Sequence, residues 1–188
     1  QVSAGDSSTM ALKTDGTLWA WGWNNAGQLG DGSTKDRLVP VRVMSDVAQV
    51  EAAAGYTMAI KTDGTLWAWG ENKKGRLGDG SETNRVIPVQ ILEDVVEVSL
   101  GDAHSIALRK DGSLWAWGAN ENGQLGTGDK NNRNKPIQVM TDLLLPGAAP
   151  VTEKTVIAQP TRAKVLLNGT EQTLEAYEIA GSNYFKLR

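Results

Sequence analysis

The chain repeats itself every 48 residues, and that interval limits the folds open to it. "DGTLWAWG" runs from Asp15 to Gly22 and again from Asp63 to Gly70, and "DGSLWAWG" follows from Asp111 to Gly118. Arg37, Arg85 and Arg133 keep the same step, as do Gly30, Gly78 and Gly126, and Pro40, Pro88 and Pro136. The three copies contain no insertion or deletion. A fixed period of this length marks an array of supersecondary units that bury their apolar faces against one another.

Within a unit the pattern is that of short strands. "TMALK" alternates large apolar residues with small or polar ones. "TDGT" then supplies an Asp-Gly pair suited to a two-residue hairpin, with Gly16, Gly64 and Gly112 placed to take positive φ at its second central position. "LWAWG" is the return strand, and "NNAGQLGDGS" is a loop too rich in Gly and Asn for a helix. "VPVRV" reads as a third strand whose proline stands at its start or on an edge, and "VAQVEAA" as a fourth. Four short strands in ~40–50 residues fit one blade of a β-propeller.

Six of the seven tryptophans fall in the octapeptide. Residues i and i+2 of a strand share a face. Trp19 and Trp21 therefore point one way while Leu18, Ala20 and Gly22 point the other, and the same holds for Trp67 with Trp69 and Trp115 with Trp117. Each unit has one bulky face and one nearly flat face. Stacking units fits bulky into flat, with each ring burying about 150–250 Å². The competing use, an aromatic platform for carbohydrate, requires the rings to lie on an exposed rim.

Composition removes most chemistry. With no cysteine there are no disulfides, thiolate metal sites or cysteine nucleophiles. The single histidine, His104, excludes His-rich zinc sites and leaves one possible base for a triad. Ser105 follows it directly, and strand neighbours face opposite ways, so His104 reads as structural. The net charge is -3, and no Lys/Arg cluster is long enough to neutralise phosphates, which argues against nucleic acid as the main partner. No run approaches the ~18 apolar residues needed to cross a bilayer. "GDGSTKD" and "GDGSETN" offer oxygen ligands for calcium, but Thr127 replaces the first aspartate in the third copy, and turn chemistry explains them. No cofactor is expected.

"ALKTDGTLWAWGWNNAGQLGDG", "AIKTDGTLWAWGENKKGRLGDG" and "ALRKDGSLWAWGANENGQLGTG" resemble the regulator of chromosome condensation repeat in its bacterial versions, over residues 1 to about 142. The resemblance implies a seven-bladed β-propeller. Its eukaryotic founder exchanges nucleotide on a small GTPase and docks on chromatin, whereas a bacterial relative caps β-lactamases with its loop-lined face. Only three repeats are present here, so the expected fold is all-β: three blades in an open arc, residues 1–143, as an excerpt of a longer chain that supplies the missing blades. The middle repeat departs at Ala53, where the others have Gly5 and Gly101, and at Tyr56, where they have Ser8 and His104. That loss of glycine weakens the expectation of one shared backbone.

A Pro/Ala/Thr-rich linker is expected over 144–162, followed at 163–188 by strands separated by turns at Asn168-Gly169 and Gly181-Ser182-Asn183. The last stretch resembles the opening of the copper amine oxidase N-terminal-like stalk domain, a module of secreted and cell-wall proteins of Gram-positive bacteria, without copper or oxidase chemistry. Asn168 also begins a glycosylation sequon, which the turn explains equally well.

Scaffold positions stay fixed among the copies while Trp23, Glu71 and Ala119 vary, as do Asn25, Lys73 and Glu121, and Ala26, Lys74 and Asn122. Variable loops on a rigid frame are where recognition resides, although neutral drift gives the same pattern. Trp23 stands out as large, apolar and outside the repeat-wide packing requirement. The expected function is non-enzymatic: a secreted or cell-wall bacterial module that binds a protein or a surface partner. The alternatives are a GTPase regulator and a carbohydrate-binding module.

Overall fold

A computed structural model describes residues 1–147, 161–167, 170–179 and 182–186. They fall into two units, Gln1–Ala148 and Ala149–Arg188.

The first unit is three four-stranded antiparallel sheets. Sheet one holds β1 (Val2–Ala4), β2 (Ser8–Leu12), β3 (Leu18–Gly22) and β4 (Arg37–Met44) in sequence order. Sheet two repeats it with β5 (Val47–Ala53), β6 (Tyr56–Lys61), β7 (Leu66–Gly70) and β8 (Arg85–Leu92). Sheet three holds β9 (Val95–Leu100), β10 (His104–Arg109), β11 (Leu114–Gly118) and β12 (Arg133–Met140). This is the expected all-β arc of three blades. The phase differs from the sequence reading: "VAQVEAA" is β5, the first strand of the next blade, and does not close its own. A period fixes a spacing and leaves the starting point of the structural unit open.

The blade hairpins also differ from the expected two-residue turn. Lys13 N donates to Thr17 O at 3.0 Å and Gly16 N to Lys13 O at 3.1 Å, which leaves Thr14, Asp15 and Gly16 as a three-residue loop. Gly16 takes φ +78, whereas a two-residue type I′ turn needs positive φ at both central residues. Among described non-glycine residues, positive φ is confined to Asp46, Lys74, Asp94 and Asp142, so Asp15 does not supply the second one. Asp46 and Asp94 turn the chain between blades, a conformation aspartate tolerates. The prolines sit inside β4, β8 and β12, on edge strands and beside register shifts, where no ladder donor is needed. A 3₁₀ turn at Lys73–Gly75 interrupts what reads as a simple loop.

Blades stack flat face to bulky face. Met10, Leu18, Ala20 and Leu29 of blade one bury Trp69 of blade two, with Trp67 packed beside it. Tyr56, Met58, Leu66, Ala68 and Leu77 of blade two bury Trp117 of blade three in the same way, with Trp115 alongside. Trp69 and Trp117 are 0% exposed. Trp19 and Trp21, with no described blade on their side, are only half-buried. Trp67, Trp69, Trp115 and Trp117 fill the space between sheets, as the strand periodicity predicts. Ala53 does not distort the middle blade: it pairs with Tyr56, as Gly5 N bonds Ser8 O and Gly101 N bonds His104 O in the other two.

The second unit is an antiparallel meander of β13 (Thr161–Leu167), β14 (Thr170–Ile179) and β15 (Ser182–Lys186). β13 begins two residues inside the stretch expected as linker. Ser182 pairs with Ile179 and Asn183 with Glu178, so both belong to β15 and not to a turn. The Asn168-Gly169 turn and sequon lie outside the described residues.

Candidate functional site: the loops at the blade junctions

The loop after each "LWAWG" strand is held by one buried asparagine. Asn72, fully buried, donates from Nδ2 to Asp79 Oδ1 at 2.9 Å and to the carbonyls of Ser81 and Thr83, while Leu77 N donates to its Oδ1 at 2.9 Å. Asn24 does the same with Asp31, Ser33 and Lys35, and Asn120 donates to Thr127 Oγ1 and the Asp129 carbonyl while accepting from Leu125 N. An amide side chain carries both donors and an acceptor, so one residue can satisfy several strands of a tight loop. Asp79 is further bound by Arg85 Nε at 2.6 Å, and Asp129 by Arg133 at 2.6 Å. In the third loop Thr127 stands where Asp31 and Asp79 are, and the aspartate has moved two positions on, keeping its arginine.

These partners set the acidity of the loop carboxylates. Burial pushes Asp31 up, but hydrogen bonds from Ser33 and Arg37 outweigh it and hold the carboxyl below its ordinary value. Asp79 is lowered in the same way by Ser81, Arg85 and Asn72 against the burial that raises it. The carboxylate oxygens of Asp31 and Asp79 are thus engaged by arginine, asparagine and serine.

Each loop is also joined to the next blade. Trp69 Nε1 and Thr57 Oγ1 both donate to Gln28 O at 2.9 Å. One repeat later, Trp117 Nε1 and Ser105 Oγ donate to Arg76 O at 2.9 Å. A Cβ on Gly30 would stand 2.7 Å from the Trp69 indole nitrogen, so the glycine of "GQLG" is required by contact as well as by its φ of +75. The carbonyls of Gln28 and Arg76 are therefore each tied by two hydrogen bonds to the following blade.

On this frame the varying residues differ in accessibility. Trp23 is 44% exposed and lies over a hollow of about 220 Å³ with Asn25, Ala26, Gly55, Glu71 and Asn84. At the next junction Lys74 Nζ meets Glu121 Oε2 at 2.5 Å. Lys73, Glu121 and Asn122 are exposed. Ala119 is not: at 2% exposure it is buried at the end of its strand, and its backbone rather than its side chain engages a neighbour, Ala103 O. The Ala119 side chain is therefore not available to a partner, unlike its larger counterparts Trp23 and Glu71. Arg76, almost fully buried, lies 5.4 Å from the Tyr56 ring centroid and 3.4 Å from Glu71.

Tyr56 is a strut between blades. Its hydroxyl lies 2.9 Å from the carbonyls of Gly101 and His104 and 3.2 Å from Ser105 Oγ. Burial pushes its phenol up to about 12. Ser105 is buried against blade two, while His104 faces the opposite side of its sheet and lines a separate hollow. The two do not form a nucleophile–base pair.

Sequence reasoning passed over Asn24, Asn72 and Asn120, although their unbroken step of 48 was the available signal. It also passed over the relay at each hairpin, in which Asp15 accepts from Thr17 N and Oγ1 and Thr17 Oγ1 accepts from Trp19 Nε1 at 3.0 Å. The third copy keeps that relay with Ser113, which explains the one substitution in the octapeptide.

Stacked four-stranded blades locked by inter-blade indoles define a segment of a β-propeller. The pattern described as the regulator of chromosome condensation (RCC1) repeat matches residues 15–60, 63–108 and 111–146, and a second pattern of the same description matches 1–28 and 95–124. The chain belongs to that repeat family. It is 51% identical to the ultraviolet-B receptor UVR8 of Arabidopsis thaliana over 43 residues, 23% of this chain and 10% of that protein. It is 49% identical to the human probable E3 ubiquitin-protein ligase HERC3 over 43 residues, 23% of this chain and 4% of that one. Among solved structures, yeast Prp20p superposes with a TM-score of 0.67 at 21% identity, over 75% of this chain and 38% of that one. Human WBSCR16 gives 0.66 at 23% identity, over 73% and 37%. The chain thus spans well under half the length of these relatives, and the structural likeness establishes the fold.

Proposed function

We propose that the chain is a non-enzymatic recognition module, carried by a secreted or cell-surface bacterial protein, whose blade-junction loops bind a protein or a surface polymer. The observation that carries this reading is the contrast between invariant and variable positions: the Asn72-type knots and inter-blade indoles repeat unchanged, while Trp23, Asn25, Lys73 and Glu121 beside them vary and face solvent. Fixed frames with variable loops serve binding. The described Prp20p structure concerns binding to Gsp1p and histones, and a second yeast structure has Prp20 bound by Kap60, which supports protein partners for this fold. A net charge of -3 favours such partners over nucleic acid. The stalk-like strands at the C-terminal end support the extracellular placement.

The test is site-specific photo-crosslinking, with the reactive group at Trp23 or Lys73 and a control at Val39 on an edge strand. Crosslinks from the two loop positions and none from Val39 are expected, with nucleotide release from small GTPases unchanged. Crosslinking through Val39 alone, or accelerated nucleotide release, would overturn the reading.

A further inference from the structure

The hollow beside Trp23 lies between blades one and two, and both of its walls belong to the described residues. Trp23, Asn25 and Ala26 come from the loop after β3, and Gly55, Glu71 and Asn84 from blade two. Main-chain bonds pin both walls: Trp23 N donates to Ser7 O and Glu71 N to Gly55 O, each at 2.8 Å. The space exists because Ala26 and Gly55 are small. Lys74 and Asn122 are the counterparts of Ala26, and Ser7 and Ala103 those of Gly55. At the next junction Lys74 reaches across to Glu121, whose counterpart in blade two is Lys73. Alanine at position 26 cannot form that strap, and the first junction stays open.

The chemistry of the walls suits a neutral ligand with one apolar side. Glu71 leans over Gly55, where a Cβ would stand 3.0 Å from its Oε2, and the almost fully buried Arg76 holds the same oxygen at 3.4 Å. The carboxylate is thus oriented and its charge compensated, while it still accepts hydrogen bonds. A cation entering the hollow meets the Arg76 guanidinium as well as the carboxylate, and the two fields oppose each other. Asn84 Oδ1 accepts from Asn72 N at 2.9 Å, which orients the amide and leaves its Nδ2 donors for a ligand. Asn25 adds a second, exposed amide. The indole of Trp23, 44% exposed, supplies the apolar surface. A few convergent polar groups around an apolar surface fix the orientation of a small ligand. A pyranose has the complementary pattern, with a face of C–H groups for the indole and a rim of hydroxyls for the amides and carboxylate.

We infer that the junction of blades one and two binds a neutral pyranose unit of a surface glycan, stacked on Trp23 and hydrogen-bonded to Asn25, Asn84 and Glu71. This rests on the recognition reading above and narrows the ligand of one junction from a protein or polymer to a sugar.

The test is NMR titration of the 188-residue chain with cellobiose, maltose, lactose and diacetylchitobiose, read from indole and side-chain amide N–H signals. The Trp23 indole signal is identified by its absence in Trp23→Phe. At least one of these sugars is expected to shift the Trp23, Asn25 and Asn84 signals saturably, with Trp69 and Trp117 unmoved. The double variant Ala26→Lys with Lys73→Glu transplants the strap of the next junction and is expected to weaken binding at least about tenfold. Glu71→Gln keeps an accepting oxygen and weakens it by no more than about fivefold. The unchanged remainder of the spectrum checks that each variant is folded. Acetyl-argininamide, the cationic probe, is expected to shift none of these signals. No saturable shift with any of the sugars, shifts confined to other residues, or binding that survives the double variant would overturn the inference. Acetyl-argininamide binding at Trp23 that is lost in Glu71→Gln would also overturn it, and would assign the junction to a basic side chain of a protein partner, leaving the wider recognition reading in place.

Discussion

The indole nitrogen of Trp69 donates to the main-chain carbonyl of Gln28 at 2.9 Å, tying the second blade to the loop that ends the first. Trp117 repeats the bond to Arg76 at the next junction. Packing and polarity coincide in one side chain: the ring fills the gap between sheets, and its single donor fixes the height at which the sheets meet.

Replacing Trp69 or Trp117 by alanine is expected to cost about 3–5 kcal/mol, the range for large aromatic side chains removed from a core. Phenylalanine at either position costs less than alanine, about 2–3 kcal/mol, because part of the ring area is kept while the donor and the rest of the indole are lost. Trp21→Ala costs clearly less than Trp69→Ala, since Trp21 is only half-buried and its face has no described neighbour. Urea denaturation of the set decides the order.

Asn72→Ala leaves several buried loop groups without a partner, each costing about 1–3 kcal/mol. A loss of at least about 2 kcal/mol is expected, against less than about 0.5 kcal/mol for Asn25→Ala on the surface one blade earlier. Equal losses in chemical denaturation would show that the buried amide does not organise the loop.

The loop and hairpin aspartates predict an acid limb. Asp15, Asp63 and Asp111 are lowered chiefly by the side-chain hydrogen bond from Thr17, Thr65 or Ser113, and Asp31 and Asp79 by bonds that outweigh burial. Depressed folded values mean that the unfolded chain binds protons first. Their stabilisation is complete above the ordinary aspartate value and drains away as pH falls through the lower folded values. The urea midpoint is expected to hold from neutral pH down to about pH 5 and then to decline. Asp79→Asn shows a shallower decline.

Tyr56 predicts the opposite limb. Its folded value of about 12 lies above the ordinary 10.0, so the folded state holds the phenolic proton more tightly. The corresponding stability is present below the ordinary value and is lost as pH rises from there towards 12. Ultraviolet titration of phenolate is expected to show a late component that is lost in Tyr56→Phe.

The architecture was readable because strand geometry converts sequence spacing into facing directly: alternate tryptophans share a side, and a strict step of 48 makes the sides recur. The starting strand of a blade was not, since Val47–Ala53 looks alike as the end of one unit or the beginning of another. The hairpin escaped because Asp-Gly serves two turn lengths, and only the φ at Asp15 separates them. Asn24, Asn72 and Asn120 sat in loops whose Gly and Asn content suggests solvent, where burial cannot be inferred from composition. Trp23 was legible by contrast with its repeats. Ala119 was misjudged by the same contrast, because a position that exposes a tryptophan in one copy can enclose an alanine in another.

Because only two residues separate the end of β4 in the first blade from the start of β5 in the second, a 48-residue stretch of gene holds one whole blade when cut at that link and parts of two neighbours when cut anywhere else. Duplicating or deleting one such stretch, wherever the cut falls, therefore regenerates each seam from equivalent positions. The array can lengthen or shorten by unequal crossover without any new surface having to evolve.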